Sequence, residues 1–483
     1  MTPKFTRRAA SRLLLGLPLL QAGLSGCQMM ADSEPVVQKR TREEAFVRRT
    51  LEDIAGPNFS SLRELYSNEI HQVEFNGAAL GRQLLQAWNA AGSRRFTIAH
   101  FGDSLMQQGI AAEMLRNKLQ LAQGSAGRGM VFPFKIAKTY SHNDLSFDFT
   151  GNWFSASSMQ NPPKLPVGIS GFVAQTTDRN VSINLRFDPG LEPGAKKIRL
   201  LYRVTASGYV AHLRSAGQLW EMALPQSRNG SATSYVDFQV ERLGEEVLFD
   251  IRNGGSSDAV FEVQGISIEN MQTGVLHHNL GVGGAAFVSL LEQSYFEEQA
   301  RWLAPDLVIL DWGTNDIIYK NAIAPDLERI VVETIRKVRT TLPNALIMMT
   351  SPQDMYYKLK PVTASWDAAV LFRRLALENN CLFYDWYRAA GGQDAMPTWY
   401  VYKLGGTDHV HLNTSGYAVK GDLMAQAFLN TIRAVETNPS LTRIAVSPTR
   451  AESVASVSAW LKAAKPEKPR PSLVSISPAT VVL

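Results

Sequence analysis

Cysteine is scarce: among 483 residues only Cys27 and Cys381 carry a thiol. That excludes a disulfide framework and a cysteine metal site. A permanent membrane span is missing near the start as well, because the apolar run Leu13 to Leu20 is too short to cross a bilayer. An excess of one charge is also lacking. The chain holds 49 Lys and Arg against 44 Asp and Glu, but residues 1–26 account for four of the basic ones and none of the acidic ones, which leaves 45 against 44. A nucleic-acid binder should show a basic surplus, so nucleic acid is excluded as a partner. No internal repeat is present. The glycine run Gly281–Gly284 lacks the spacing of a dinucleotide loop and the acidic residue that follows one.

What is there begins with an export signal. Lys4, Arg7, Arg8 and Arg12 precede the apolar run, which ends in Leu24-Ser25-Gly26-Cys27. That ending resembles the lipobox of bacterial lipoproteins, which implies a lipid on Cys27 and a signal peptide over residues 1–26. Gln28, rather than Asp, resembles lipoproteins sent on to the outer membrane. The expectation is a periplasmic lipoprotein held to a membrane through Cys27. With Cys27 acylated, Cys381 reads as a small core residue.

Several domains are expected from the length. Residues 27–91 read as a tether and N-terminal helices. Residues 92–147 open an α/β domain: Phe96 to Phe101 is a short apolar strand, Gly102-Asp103-Ser104 breaks it, and Ile110, Met114, Leu115 and Leu119 recur at helical spacing. The stretch Ala126 to Phe134 reads as a loop. Residues 148–272 carry short alternating segments such as Val181 to Phe187, divided by turn-rich gaps, which predicts an inserted antiparallel β-sandwich. Over residues 273–435 strands alternate with helices again, which predicts a parallel sheet covered on both faces. Residues 436–483 read as a flexible Pro-rich tail.

Four segments lie at or beyond the carboxyl ends of predicted strands: Gly102-Asp103-Ser104, Gly281 to Gly284, Gly313 to Asp316, and Asp408 to Asn413. In an open α/β sheet those ends share one crevice. Ester hydrolysis through a serine needs a base, a group that orients the base, and donors for the oxyanion. Ser104 can be the nucleophile, His411 the base and Asp408 its partner. Ser104 N–H, Gly284 N–H and the Asn315 amide can be the oxyanion donors. His409 competes with His411 for the role of base. Ser104 could instead only cap a helix. Trp153, Trp312 and Trp386 are candidates for core packing or for stacking on sugar rings, Trp312 being the leading candidate for stacking.

The four segments resemble the four blocks of the SGNH (GDSL-like) hydrolases. The resemblance implies a five-stranded parallel sheet between helices, Ser104 as nucleophile, Gly284 and Asn315 in the oxyanion hole, and Asp408 and His411 completing a triad. His411-Leu-Asn-Thr-Ser-Gly-Tyr417 fits the last block and favours His411 over His409. Within that superfamily the chain resembles bacterial peptidoglycan O-acetylesterases, which carry a carbohydrate-binding-module-like sandwich after the serine block. His100-Phe-Gly-Asp-Ser104 with Gln107, and Leu165 to Gly171, carry this narrower likeness. Leu105, Gln108-Gly109, Gly283 and Asp316-Ile317 depart from it. The resemblance implies no metal and no cofactor. It implies an O-acetylated polysaccharide as substrate: peptidoglycan first, with an exopolysaccharide, acetyl transfer, or a non-catalytic glycan-binding role as alternatives.

Overall fold

A computed structural model describes residues 49–55, 71–188, 190–226, 230–255 and 258–444. The signal segment, Cys27, the tether to Arg42 and the tail from residue 445 lie outside the described residues.

Five parallel strands form the central sheet: β1 (Arg95–Gly102), β2 (Gly274–Gly281), β3 (Leu307–Asp311), β4 (Leu346–Thr350) and β5 (Leu382–Tyr384), in the order β2-β1-β3-β4-β5. Every residue of β2, β3, β4 and β5 is buried, as expected of a sheet covered on both faces. The cover comes from α1 (Ala78–Asn89), α2 (Ile110–Gln123), α3 (Leu327–Thr341), α4 (Ala364–Glu378) and α5 (Thr414–Thr437). The helical spacing read at Ile110 is realised in α2, whose Ile110, Met114, Leu115 and Leu119 all point into the core. Cys381, directly before β5, is buried.

Two antiparallel sheets make up the insert. One has the order 218–224, 209–215, 246–253, 180–187, 145–150; the other runs 234–240, 196–204, 261–270, 172–176, 154–157. Alternation sets the inner face: in Asn180–Phe187 the buried residues are Val181, Ile183, Leu185 and Phe187.

Antiparallel pairing starts earlier than residue 148. Gly127–Val131 is a strand, not a loop, and pairs with Phe261–Asn270. Its glycines hid it from the sequence pattern, and they are what the position requires. At Gly129 (φ +89°) a Cβ would lie 2.1 Å from the His277 carbonyl oxygen of β2, so only glycine lets this strand run between insert and parallel sheet. Phe261–Asn270 is buried along its whole length. Arg95, opening β1, pairs with Glu269 at 2.5 Å. One continuous apolar core runs from Phe101 and Trp312 under the parallel sheet to Phe132, Phe172 and Phe249 in the insert, so the insert is welded to the α/β domain.

The chain stays regular past residue 436. Helix α5 runs to Thr437, and Arg443–Ile444 pairs with Phe75–Asn76. Between β2 and β3 the chain forms two short helices, Val288–Leu291 and Phe296–Leu303.

Candidate active site

The serine turn is built by tight packing at the end of β1. A Cβ on Gly102 would meet Met106 Cγ at 2.6 Å, so a larger residue would push the turn away from the sheet. Asp103 caps the short helix Ser104–Gln107 by accepting the Leu105 N–H at 2.8 Å. Burial pushes the Asp103 carboxyl up to about 6, against the Leu105 N–H and the Lys420 charge, which pull it down. Capping thus falls to Asp103, and the Ser104 side chain is released for another contact.

That contact is with His411. Ser104 Oγ lies 2.8 Å from His411 Nε2, and His411 Nδ1 lies 2.6 Å from Asp408 Oδ2. The other carboxylate oxygen of Asp408 accepts the backbone N–H of Val410 at 3.0 Å and of His411 at 2.9 Å. The loop therefore folds on its own acid. Asn413 then starts α5 by accepting the Gly416 N–H at 3.0 Å. With Nδ1–H donated to Asp408, Nε2 is free to accept the serine proton. Burial raises the Asp408 pKa, but the His411 hydrogen bond and the two N–H donors outweigh it and hold the carboxyl well below its usual range. Burial lowers the His411 pKa, but the bond and charge of Asp408, with the Asp103 charge behind, leave it raised.

His409 is turned elsewhere. It has a left-handed backbone (φ 58°), and its ring lies 4.6 Å from that of Tyr400.

The remaining two blocks meet beside the serine. Gly284 (φ +79°) follows β2, and Val282 N–H donates to the Gly102 carbonyl at 3.0 Å. Asn315 stands in the short helix Thr314–Ile317 after β3, and its amide donates to the Ala285 carbonyl at 2.9 Å. The two blocks are thus joined through Ala285, the residue after Gly284. Burial pushes the adjacent Asp316 up to about 7, against the Phe287 N–H that its carboxyl accepts.

Two residues that carry no role in the sequence reading also belong here. Gln107 accepts the Gly283 N–H at 2.5 Å, while its own amide donates to the Thr139 hydroxyl at 2.9 Å and the Tyr140 carbonyl at 2.8 Å. Met159, from the insert, sits over Gly284: a Cβ there would lie 2.7 Å from its sulfur. Trp312 is not a sugar platform. It directly follows β3 and is buried between Phe101 and Phe287, at 5.9 and 5.5 Å. Trp386 is likewise buried, against Trp399.

Among solved structures, a peptidoglycan O-acetylesterase shares 22% identity at a TM-score of 0.61, over 75% of this chain and 99% of that one. An acetylxylan esterase from Geobacillus stearothermophilus shares 22% identity over 33% of this chain and 73% of its own, at 0.27. A family two carbohydrate esterase from Cellvibrio japonicus shares 8%, over 59% and 98%, at 0.25. No curated protein sequence matches the chain. The GDSL-like lipase/acylhydrolase family matches residues 267–419, which take in Gly284, Asn315, Asp408 and His411. Ser104 lies before that stretch, on the other side of the insert, and the sheet order returns β1 to its place between β2 and β3. Over residues 267–419 the chain is thus similar to the GDSL-like lipase/acylhydrolase family, and its fold is similar to that of the peptidoglycan O-acetylesterase.

Proposed function

We propose that the protein is a lipid-anchored serine esterase that removes O-acetyl groups from a cell-envelope glycan, with peptidoglycan as its leading substrate. The observation that carries the reading is the unbroken chain of hydrogen bonds from Asp408 through His411 to Ser104 at the carboxyl edge of the parallel sheet.

In this reading His411 Nε2 takes the Ser104 proton as Oγ attacks the ester carbonyl. The oxyanion that forms is held by the N–H groups of Ser104 and Gly284 and by the Asn315 amide, each donor contributing roughly 3–4 kcal/mol. Collapse expels the sugar oxygen, which takes the proton back from His411. Water, deprotonated by His411, then attacks the acetyl-serine, and acetate leaves. Asp408 holds Nδ1 throughout and balances the imidazolium charge.

A small acyl group fits the position of Met159 over Gly284. A glycan fits the likeness in fold to a peptidoglycan O-acetylesterase across almost the whole of that enzyme, insert included. The signal segment and Cys27 support an envelope location, outer membrane by the residue after the cysteine. The intact triad weighs against a purely adhesive role. The deciding experiment compares the parent and Ser104→Ala on p-nitrophenyl acetate, then measures acetate released from purified glycans of different types. Equal turnover by both proteins would refute the esterase reading.

A further inference from the structure

Aromatic rings stand on both faces of a small hairpin between the Asn315 block and the His411 loop, Tyr319 with Tyr357 on one face and Tyr356 with His409 on the other, and none of them takes part in the acyl-transfer chemistry. Tyr319, just past helix Thr314–Ile317, is 68% exposed. Its ring stands edge-on to Tyr357, with centroids 5.6 Å apart. In the hairpin Tyr356–Tyr357 pairs with Lys360–Pro361. Tyr356 donates its backbone N–H to the His409 carbonyl at 2.9 Å, and the His409 ring in turn packs on Tyr400, which is 42% exposed. His409 is two residues from the base, and Tyr319 four residues from the oxyanion asparagine.

The hairpin is held in place. Asn321 donates to the Pro361 carbonyl at 3.3 Å, and the Tyr356 hydroxyl donates to Asp394 at 2.6 Å. Its tip is costly. Lys358 and Leu359 both have left-handed backbones (φ 51° and 62°), and Leu359 is 75% exposed. Non-glycine residues in that region are strained. Strain kept in an exposed tip beside an active site points to use.

The cluster is basic. Lys358 Nζ lies 5.2 Å from the centroid of the Tyr357 ring, Lys360 stands opposite Tyr357 in the hairpin register, and Lys320 follows Tyr319. All three lysines are exposed. Among the described residues none of them lies within ion-pair distance of a carboxylate. The acids around the hairpin are engaged: Asp394 accepts from Tyr356, Asp408 from His411, and the buried Asp354 from the Met396 N–H.

We propose that this cluster is a subsite for the sugar chain flanking the acylated residue, and that the chain it takes carries carboxylates. Sugar C–H faces stack on the exposed tyrosine rings, and the unpaired ammonium groups meet the carboxylates. The subsite rests on the esterase reading and narrows its substrate class to acidic O-acetylated glycans.

The test uses the full chain and two polymers: amidase-stripped, O-acetylated peptidoglycan strands, in which each muramic residue has a free carboxylate, and neutral acetylated xylan. Tyr319→Ala and Tyr357→Ala each raise KM on the strands about tenfold with a smaller change in kcat, and the Tyr→Phe forms restore it because the ring is kept. Lys358→Glu combined with Lys360→Glu raises KM on the strands far more than on xylan and flattens its salt dependence. Tyrosine variants with the parent KM would overturn the subsite, and equal effects of the lysine change on both polymers would overturn its acidic preference. Calorimetric titration of the Ser104→Ala protein with the strands separates this from the esterase reading. If no ester is cleaved, the esterase reading fails; binding lost in Ser104→Ala, Tyr319→Ala still supports the subsite, and binding kept still overturns it.

Discussion

The Ser104 hydroxyl lies 2.8 Å from the Nε2 of His411, across 307 positions of chain. Its consequence is a pH profile. His411 must be neutral to accept the serine proton, and its pKa is raised: burial pulls it down from 6.5, but the Asp408 bond and charge more than compensate. The acid limb of kcat/KM on p-nitrophenyl acetate is therefore expected above 6.5. Asp408→Asn removes the raising partner, so the limb shifts toward lower pH while kcat falls roughly 10⁴-fold. A parent limb below 6.5 would contradict this account.

Gln107 acts at one remove. Its carbonyl oxygen holds the Gly283 N–H, and its amide holds the 139–140 segment. Gln107→Ala frees the glycine run that carries Gly284. The expected result is a fall of about tenfold to a hundredfold in kcat with KM little changed, plus about 1–3 kcal/mol of lost stability from the stranded N–H. Gln107→Glu keeps the acceptor but turns the donor into an oxygen facing the Tyr140 carbonyl, so it should rescue poorly. Full activity in Gln107→Ala would show that the glycine run holds its place without the clamp.

Why some of this was legible and some was not follows from range. The first three blocks could be read because each joins a short apolar strand to a glycine or polar turn, and the fourth because it opens a long helix; both signals are local. Gln107 could not be assigned a role, since its partner Gly283 lies 176 positions away. Gly127–Val131 read as a loop because glycine packs no side chain into an alternating pattern, and yet close approach to β2 demands glycine there. Trp312, open between core packing and sugar stacking in the sequence, is core, because Phe101 and Phe287 enclose it. Tyr319 and Tyr357 carry no motif and become visible only when the hairpin brings them together.

Gly284 is a test of the oxyanion corner. Its φ of +79° strains any side chain, and a Cβ would press on Met159. Gly284→Ala is expected to cut kcat about 10²–10³-fold, comparable to losing one oxyanion donor. Adding Met159→Ala should recover only part of this, because the steric contact is relieved and the backbone strain is not. Met159→Ala alone should widen acyl tolerance, raising the butyrate-to-acetate ratio on p-nitrophenyl esters. An unchanged ratio would remove Met159 from the acyl pocket.

The last prediction concerns what holds the site from below. Lys420, on α5 after the His411 loop, lies 2.9 Å from Asp311 at the end of β3, and both are buried. Thr350 donates to the other carboxylate oxygen at 2.6 Å, and His100 stands 3.5 Å from the first. Burial raises the Asp311 pKa, but Lys420, His100 and Thr350 overcome it and hold the carboxyl well below its ordinary range. A depressed carboxylate contributes stability that is present above its unfolded pKa and is lost as pH falls below about 4. Lys420→Met strands the Asp311 charge and should cost about 3–5 kcal/mol in urea unfolding, whereas Asp311→Leu combined with Lys420→Met should come close to the parent. If the single change costs as little as the double, the pair does not tie α5 to β3, and the position of His411 over Ser104 depends on the Asp408 loop and the Asn413 cap alone.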